Sequence, residues 1–175
     1  MLTVAAVDVQ YLPSGAARAA LVVGASAAFT PITGEKTVMV TDVAPYEPGA
    51  FYRRELPCLR AVLSGVAGLS LLVVDGYVDL DPSGRPGLGA HAHAELGIPV
   101  IGVAKTPFGP ATHAAPVVRG SSGAIRPLYV TAAGLPVAEA AEMIRSMPGR
   151  YRLPDALRRV DALARGHGSP RPVRA

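Results

Sequence analysis

Short apolar runs alternate along this chain with stretches in which apolar positions recur every three or four residues. TVAAVDVQY (residues 3–11) is β-leaning, and a Pro13–Gly15 turn returns the chain into AARAALVVGAS, which predicts a hairpin. A looser turn at Thr33–Gly34 leads to a third strand, TVMVTDV, over 37–43. PYEPG is a loop by its two prolines and glycine. From Arg53 to Val66, residues Leu56, Leu59, Val62, Leu63 and Val66 keep helical spacing. LSLLVVD (69–75) is continuously apolar, as a strand covered on both faces must be. A short helix over Leu88–Leu96 and a second covered strand, IPVIGVA (98–104), follow. Residues 107–123 read as loop, IRPLYVTA (125–132) as strand, and Val137–Met147 and Pro154–Ala164 as helices. Three consecutive strands followed by helix–strand units imply a mixed sheet with helices on both faces.

Composition narrows this picture without redirecting it. With 175 residues, half of them apolar and 17% charged, the chain suits one folded domain, expected over 1–165, with a loose basic tail over 166–175. Aromatic residues are scarce, so the core is Ala, Val and Leu. A formal charge of +4 permits a polyanionic partner without requiring one. The single Cys58 excludes an internal disulfide and a cysteine-based zinc site. No signal peptide is evident, and no stretch reaches the ~18 apolar residues of a membrane helix. A cytoplasmic setting without membrane association is therefore expected, while the oligomeric state is left open.

Four acids occupy unusual places in the pattern. Asp8 lies within the apolar first strand, Glu55 opens the first helix, Asp75 ends the fourth strand and Asp161 lies in the last helix. A carboxylate in an apolar strand costs several kcal/mol unless it is paired or metal-bound. Two such acids on neighbouring strands repel each other unless a cation lies between them. Acids clustered without His or Cys favour hard cations, Mg2+ with Mn2+ as its substitute, and carboxylate-bound Mg2+ is suited to phosphodiester hydrolysis. DLDPSG, from Asp79, mimics half of a calcium loop, but Ala90 stands at position 12 and Pro82 at position 4, which excludes that reading.

The pieces VDVQY (7–11), PYEPGAFYRRELP (45–57), VVDG (73–76), IPVIGVAKTPF (98–108) and YRLPDALRRVDALA (151–164) resemble the endonuclease V family in order and over nearly the whole chain. The second and fourth pieces are the specific ones. The resemblance implies a ribonuclease H-like mixed β-sheet and Mg2+-dependent, inosine-directed cleavage of nucleic acid, DNA in repair or alternatively RNA. In the DNA reaction it implies hydrolysis of the second bond 3′ to deoxyinosine, leaving 3′-hydroxyl and 5′-phosphate ends. It makes Asp8 and Asp75 metal ligands, completed by Glu55, with Asp161 near the metal and Lys105 as the active-site lysine. Tyr46, between Pro45 and Pro48, takes the place of the family's wedge. Gly49, Gly76 and Gly102 fall where backbone approaches the extruded base, and His91 keeps a family position.

The chain departs from that pattern in three places. Val78 replaces a glycine, Asp81-Pro82 stands where a His-Pro pair is expected, and Met1 is only seven residues from Asp8, so the family's helical lead-in is expected to be absent. Two other readings stay open at this stage. One is an inosine- or nucleic-acid-binding protein of this fold with impaired catalysis; the other is a structure-specific nuclease of the ribonuclease H-like superfamily.

Overall fold

The computed structural model describes residues 2–120 and 126–172. The predicted Ile125 and tail residues 173–175 lie outside that range. In chain order the elements are β1 (Thr3–Tyr11), β2 (Ala17–Gly24), β3 (Ile32–Val40), α1 (Tyr52–Leu63), β4 (Leu69–Asp75), α2 (Leu88–Leu96), β5 (Val100–Ala104), β6 (Ala115–Val117), β7 (Leu128–Ala133), α3 (Val137–Ser146) and α4 (Asp155–Ala164). They form one seven-stranded sheet of order β3-β2-β1-β4-β5-β7-β6. β1, β4 and β5 run parallel at the centre, and antiparallel strands flank them on both sides.

Side-chain alternation along the central strands feeds two cores. Val4, Ala6, Val73 and Ile101 pack with α3 and α4 on one face. Ala5, Val7, Leu72 and Val74 pack with α1 and α2 on the other. Strands so covered cannot alternate apolar with polar, which explains the unbroken runs at β4 and β5. Among the described residues no helix is long and apolar enough to cross a membrane.

Three expectations need correction. β3 begins at Ile32 and ends at Val40, because pairing with β2 extends through Gly34, opposite Val23, and past the turn expected there. The segment read as loop contains β6, three residues paired antiparallel to β7. Within residues 166–172, read as a loose tail, Arg171 is tied to β3. There the Glu35 N–H donates to the Arg171 carbonyl at 2.7 Å, and the Arg171 N–H and guanidinium both donate to the Glu35 carboxylate at 2.9 Å. Arg159 of α4 adds two more hydrogen bonds to the same carboxylate, each 2.8 Å. The buried acid supplies the tail with an anchor that its Gly, Pro and Arg composition does not reveal.

Candidate active site

Parallel pairing brings the first two acids together. Val7 is paired with Val74, so Asp8, inside β1, and Asp75, the last residue of β4, follow side by side. Glu55 comes from the first turn of α1 and is 5% exposed, and its Oε2 has no hydrogen-bond partner. From the other face of the sheet, Lys105, just beyond β5, reaches Asp75 at 3.5 Å and Asp161 of α4 at 3.1 Å. Arg165 also pairs with Asp161, at 3.0 Å.

The electrostatics follow from this crowding. Burial, then the neighbouring Asp75, pushes Asp8 up to about 7, against a hydrogen bond from the Val9 N–H. Burial and the charges of Asp75 and Asp8 hold Glu55 well above the usual carboxylate range. Asp75 is also raised, chiefly by burial, with Lys105 opposing. Asp161 differs: burial works against its charge, but the hydrogen bond from Lys105 and the pairing with Arg165 outweigh burial and hold it low. The centre thus divides into three mutually repelling acids and one lysine–aspartate pair beside them.

Such a donor set fits a divalent cation. Three carboxylates, one with an orphaned buried oxygen, gain by sharing positive charge, and none is a soft ligand. Among the described residues no group of three or more His, Cys, Asp or Glu side chains is placed so as to hold a metal ion. The fit therefore rests on charge and donor chemistry.

Asp75 and Glu55 also form part of the wall of a cavity of about 340 Å3 on the α1 side. Its rim carries Tyr46, 62% exposed, which meets Phe51 edge-on at 6.1 Å. Tyr46 rises from the irregular segment between Pro45 and Pro48. Gly49 and Gly76 line the cavity with φ of 78° and 127°, conformations that side chains rarely adopt. Tyr77 and Phe108 line it as well, held together because the Tyr77 hydroxyl accepts from the Phe108 N–H at 3.1 Å and donates to the Thr106 carbonyl at 3.0 Å. Neither aromatic is singled out by the sequence, since the loops after β4 and β5 meet only in three dimensions.

Several sequence assignments acquire different roles. Gly102 supports the cavity from behind: a Cβ there would lie 2.6 Å from the Gly76 carbonyl and 2.8 Å from the Val78 nitrogen. His91 stacks on Tyr52 at 3.6 Å and so braces the cavity wall. Val78, in place of a family glycine, is 1% exposed and fills the core beside α2. Asp81 folds back on its own turn, accepting from the Ser83 hydroxyl at 2.6 Å and pairing with Arg85 at 3.3 Å.

A mixed sheet with acids on adjacent parallel strands, beside a lysine and an open cavity, is the arrangement of a nuclease of the ribonuclease H-like class. An Argonaute from A. aeolicus shares the fold at a TM-score of 0.56 and 11% identity, covering 97% of this chain and 30% of its own. The model of the Endonuclease V family matches residues 1–174, and the chain belongs to that family. It is 30% identical to the endonuclease V of Streptomyces avermitilis, over 93% of this chain and 79% of that one. A crystal structure of endonuclease V from the same organism superposes with a TM-score of 0.77 at 32% identity, over 94% of this chain and 80% of that one. The Ciona intestinalis endonuclease V, solved with a 24mer DNA containing an inosine followed by a ribo-adenosine, has a TM-score of 0.74 at 16% identity, over 94% and 84% of the two chains.

Proposed function

We propose that the chain hydrolyses a phosphodiester bond on the 3′ side of deoxyinosine in DNA, the second bond from the base, leaving 3′-hydroxyl and 5′-phosphate ends. The observation that carries this reading is the shared wall: Glu55 and Asp75 belong both to the acid cluster and to the cavity. A base turned into that cavity places its own backbone against the carboxylates. Asp8, Asp75 and Glu55 are the ligands for Mg2+, or Mn2+ in its place. When bound, the ion supplies a polarised water and neutralises charge on the reacting phosphate.

The chain's own groups do the rest. Lys105, charged and pinned by Asp161, stabilises the phosphate oxygens and orients the attacking water. Tyr46 fills the gap that the extruded base leaves in its strand, as a flat side chain on a proline-stiffened loop can. The backbone at Gly49 and Gly76 approaches the base edge without a Cβ in the way. The Tyr77 and Phe108 rings provide apolar walls that exclude water from the base.

The test is incubation of matched inosine- and adenosine-containing strands, DNA and RNA, with Mg2+ or Mn2+, beside Asp8→Ala. Inosine-dependent cutting that vanishes in the variant is expected. No inosine-dependent cut with either metal, at ample enzyme, overturns the reading. Binding without cutting would favour an impaired relative, and cutting that follows branched structure would favour a structure-specific nuclease. Tyr46→Ala is expected to weaken binding of the inosine strand by about tenfold, the order of one lost stacking contact. It should leave any Mg2+-induced rise in melting temperature unchanged. Affinity equal to the parent's would remove Tyr46 from the site.

A further inference from the structure

We infer that Arg150, Tyr151 and Arg158 form a ledge that receives the nucleic-acid strand beyond the cut, on its 3′ side; the inference rests on the inosine reading above. Tyr151 is 42% exposed, although tyrosine carries a large apolar ring. Two guanidinium groups lie over that ring, Arg158 at 4.0 Å and Arg150 at 4.9 Å, and Arg150 also donates to the Tyr151 hydroxyl at 2.8 Å. Their charges are largely uncommitted. Arg158 approaches Asp155 only at 3.7 Å, and among the described residues Arg150 pairs with no carboxylate. Flat π-surfaces carrying free positive charge are what a single strand needs: stacking for its bases and neutralisation for its phosphates.

Position ties the ledge to the reaction. Leu153 and Leu157 line a small cleft together with Asp8, Asp75, Lys105 and Asp161. Arg152 donates to the Lys105 carbonyl and, at 2.8 Å, to that of Pro127, which fixes the loop beside the centre. On α4, Arg158 precedes Asp161 by three residues, and Arg165, the C-cap just beyond the helix, follows it by four, so the three share one stripe, with about 4.5 Å of rise between Arg158 and Asp161. The base cavity lies on the α1 face and this stripe on the α4 face, while Asp75 belongs to the walls of both. A strand whose inosine occupies the cavity, and whose cut bond lies 3′ of it at Asp75, continues onto the α4 side.

The ledge is also built in advance. The Asp155 N–H donates to the Pro148 carbonyl at 2.9 Å, and Arg119 donates to the carbonyls of Met147 and, at 3.1 Å, Gly149. The loop carrying Tyr151 is therefore tied down on both sides, and little ordering entropy is lost when a strand binds.

The experiment compares single-stranded DNAs that share one inosine and end either immediately after the nucleotide beyond the cut or eight nucleotides further on. In the parent, kcat/KM should favour the longer strand. In Tyr151→Ala and in Arg158→Gln that advantage should shrink about tenfold, mostly through KM, with the Mg2+-induced rise in melting temperature retained. Equal losses on both strands, or none on either, overturn the inference even while the parent cuts at inosine; the second outcome is also that expected if the ledge serves a protein. If the parent shows no inosine-dependent cutting, the functional reading fails separately. The ledge is then judged on inosine-free single strands, where each lost arginine should lower the slope of log K against log salt by about 0.7. An unchanged slope overturns it.

Discussion

Asp75→Asn is expected to reduce cleavage of an inosine-containing strand on the order of a thousandfold while leaving the metal-free protein at least as stable as the parent. Asp75 stands where β1 and β4 present their acids together, and it is shared by the base cavity and the α4 cleft. Its charge also raises both Asp8 and Glu55. Asparagine keeps the shape and removes one of three repelling carboxylates, so the metal-free protein loses an unfavourable interaction. Relief of about 1 kcal/mol corresponds to about 2–4 °C in Tm for a chain of this size. Lys105 keeps its second partner, Asp161 at 3.1 Å, and is not left unpaired. With Mg2+ the order should reverse, because the cation stabilises the parent and has lost a ligand in the variant. Melting curves with and without Mg2+, beside a cleavage assay, decide the matter. A variant that cuts at the parental rate, or whose Tm rises with Mg2+ as much as the parent's, would remove Asp75 from the metal centre.

That opposition between stability and activity explains how much of the centre was legible in the sequence. Asp8 and Asp75 interrupt or end apolar strands, and only a compensating cation or partner makes such placement tolerable; the signal is local and physical. Glu55 and Asp161 are weaker cases, because an acid on a helix is ordinary until its neighbours are known. Lys105, Tyr46 and the glycines became candidates only through family resemblance. The glycines show the limit of that route, since Gly49 and Gly76 line the cavity whereas Gly102 gives room for the chain behind it. Tyr77 and Phe108 were missed because their meeting depends on the parallel placement of β4 and β5. Asp81, conspicuous as a replacement for a family histidine, is accounted for by the turn chemistry of Asp-Pro-Ser-Gly itself.

Long-range charge was the least legible feature, and it yields the largest expected effect on folding. Glu35 lies on edge strand β3, where a polar residue is unremarked, yet its side chain is 0% exposed. Its partners are Arg159, 124 residues away, and Arg171, 136 residues away. Hydrogen bonds from Arg159 lower it most, burial opposes them, and bonds from Arg171 lower it further, to about 2 from an ordinary value of 4.5. A depressed carboxylate stabilises the fold fully above the unfolded value and loses that contribution as pH falls through the folded one. The window is thus from about pH 4.5 down to about pH 2, and the contribution above it is about 3 kcal/mol. Glu35→Gln should therefore lower stability at pH 7 by about 3 kcal/mol, or about 6–12 °C in Tm, by leaving Arg159 beneath the tail without its counter-charge. In urea unfolding the gap between parent and variant should narrow at pH 3 and nearly close at pH 2, because acid neutralises the parental carboxylate as well. Arg171→Ala should cost less than Arg159→Ala, since Arg171 is 64% exposed against 29%. A gap that stays constant from pH 7 to pH 2 would mean that Glu35 acts through shape and hydrogen bonding alone, without the charge that holds α4, β3 and the tail together.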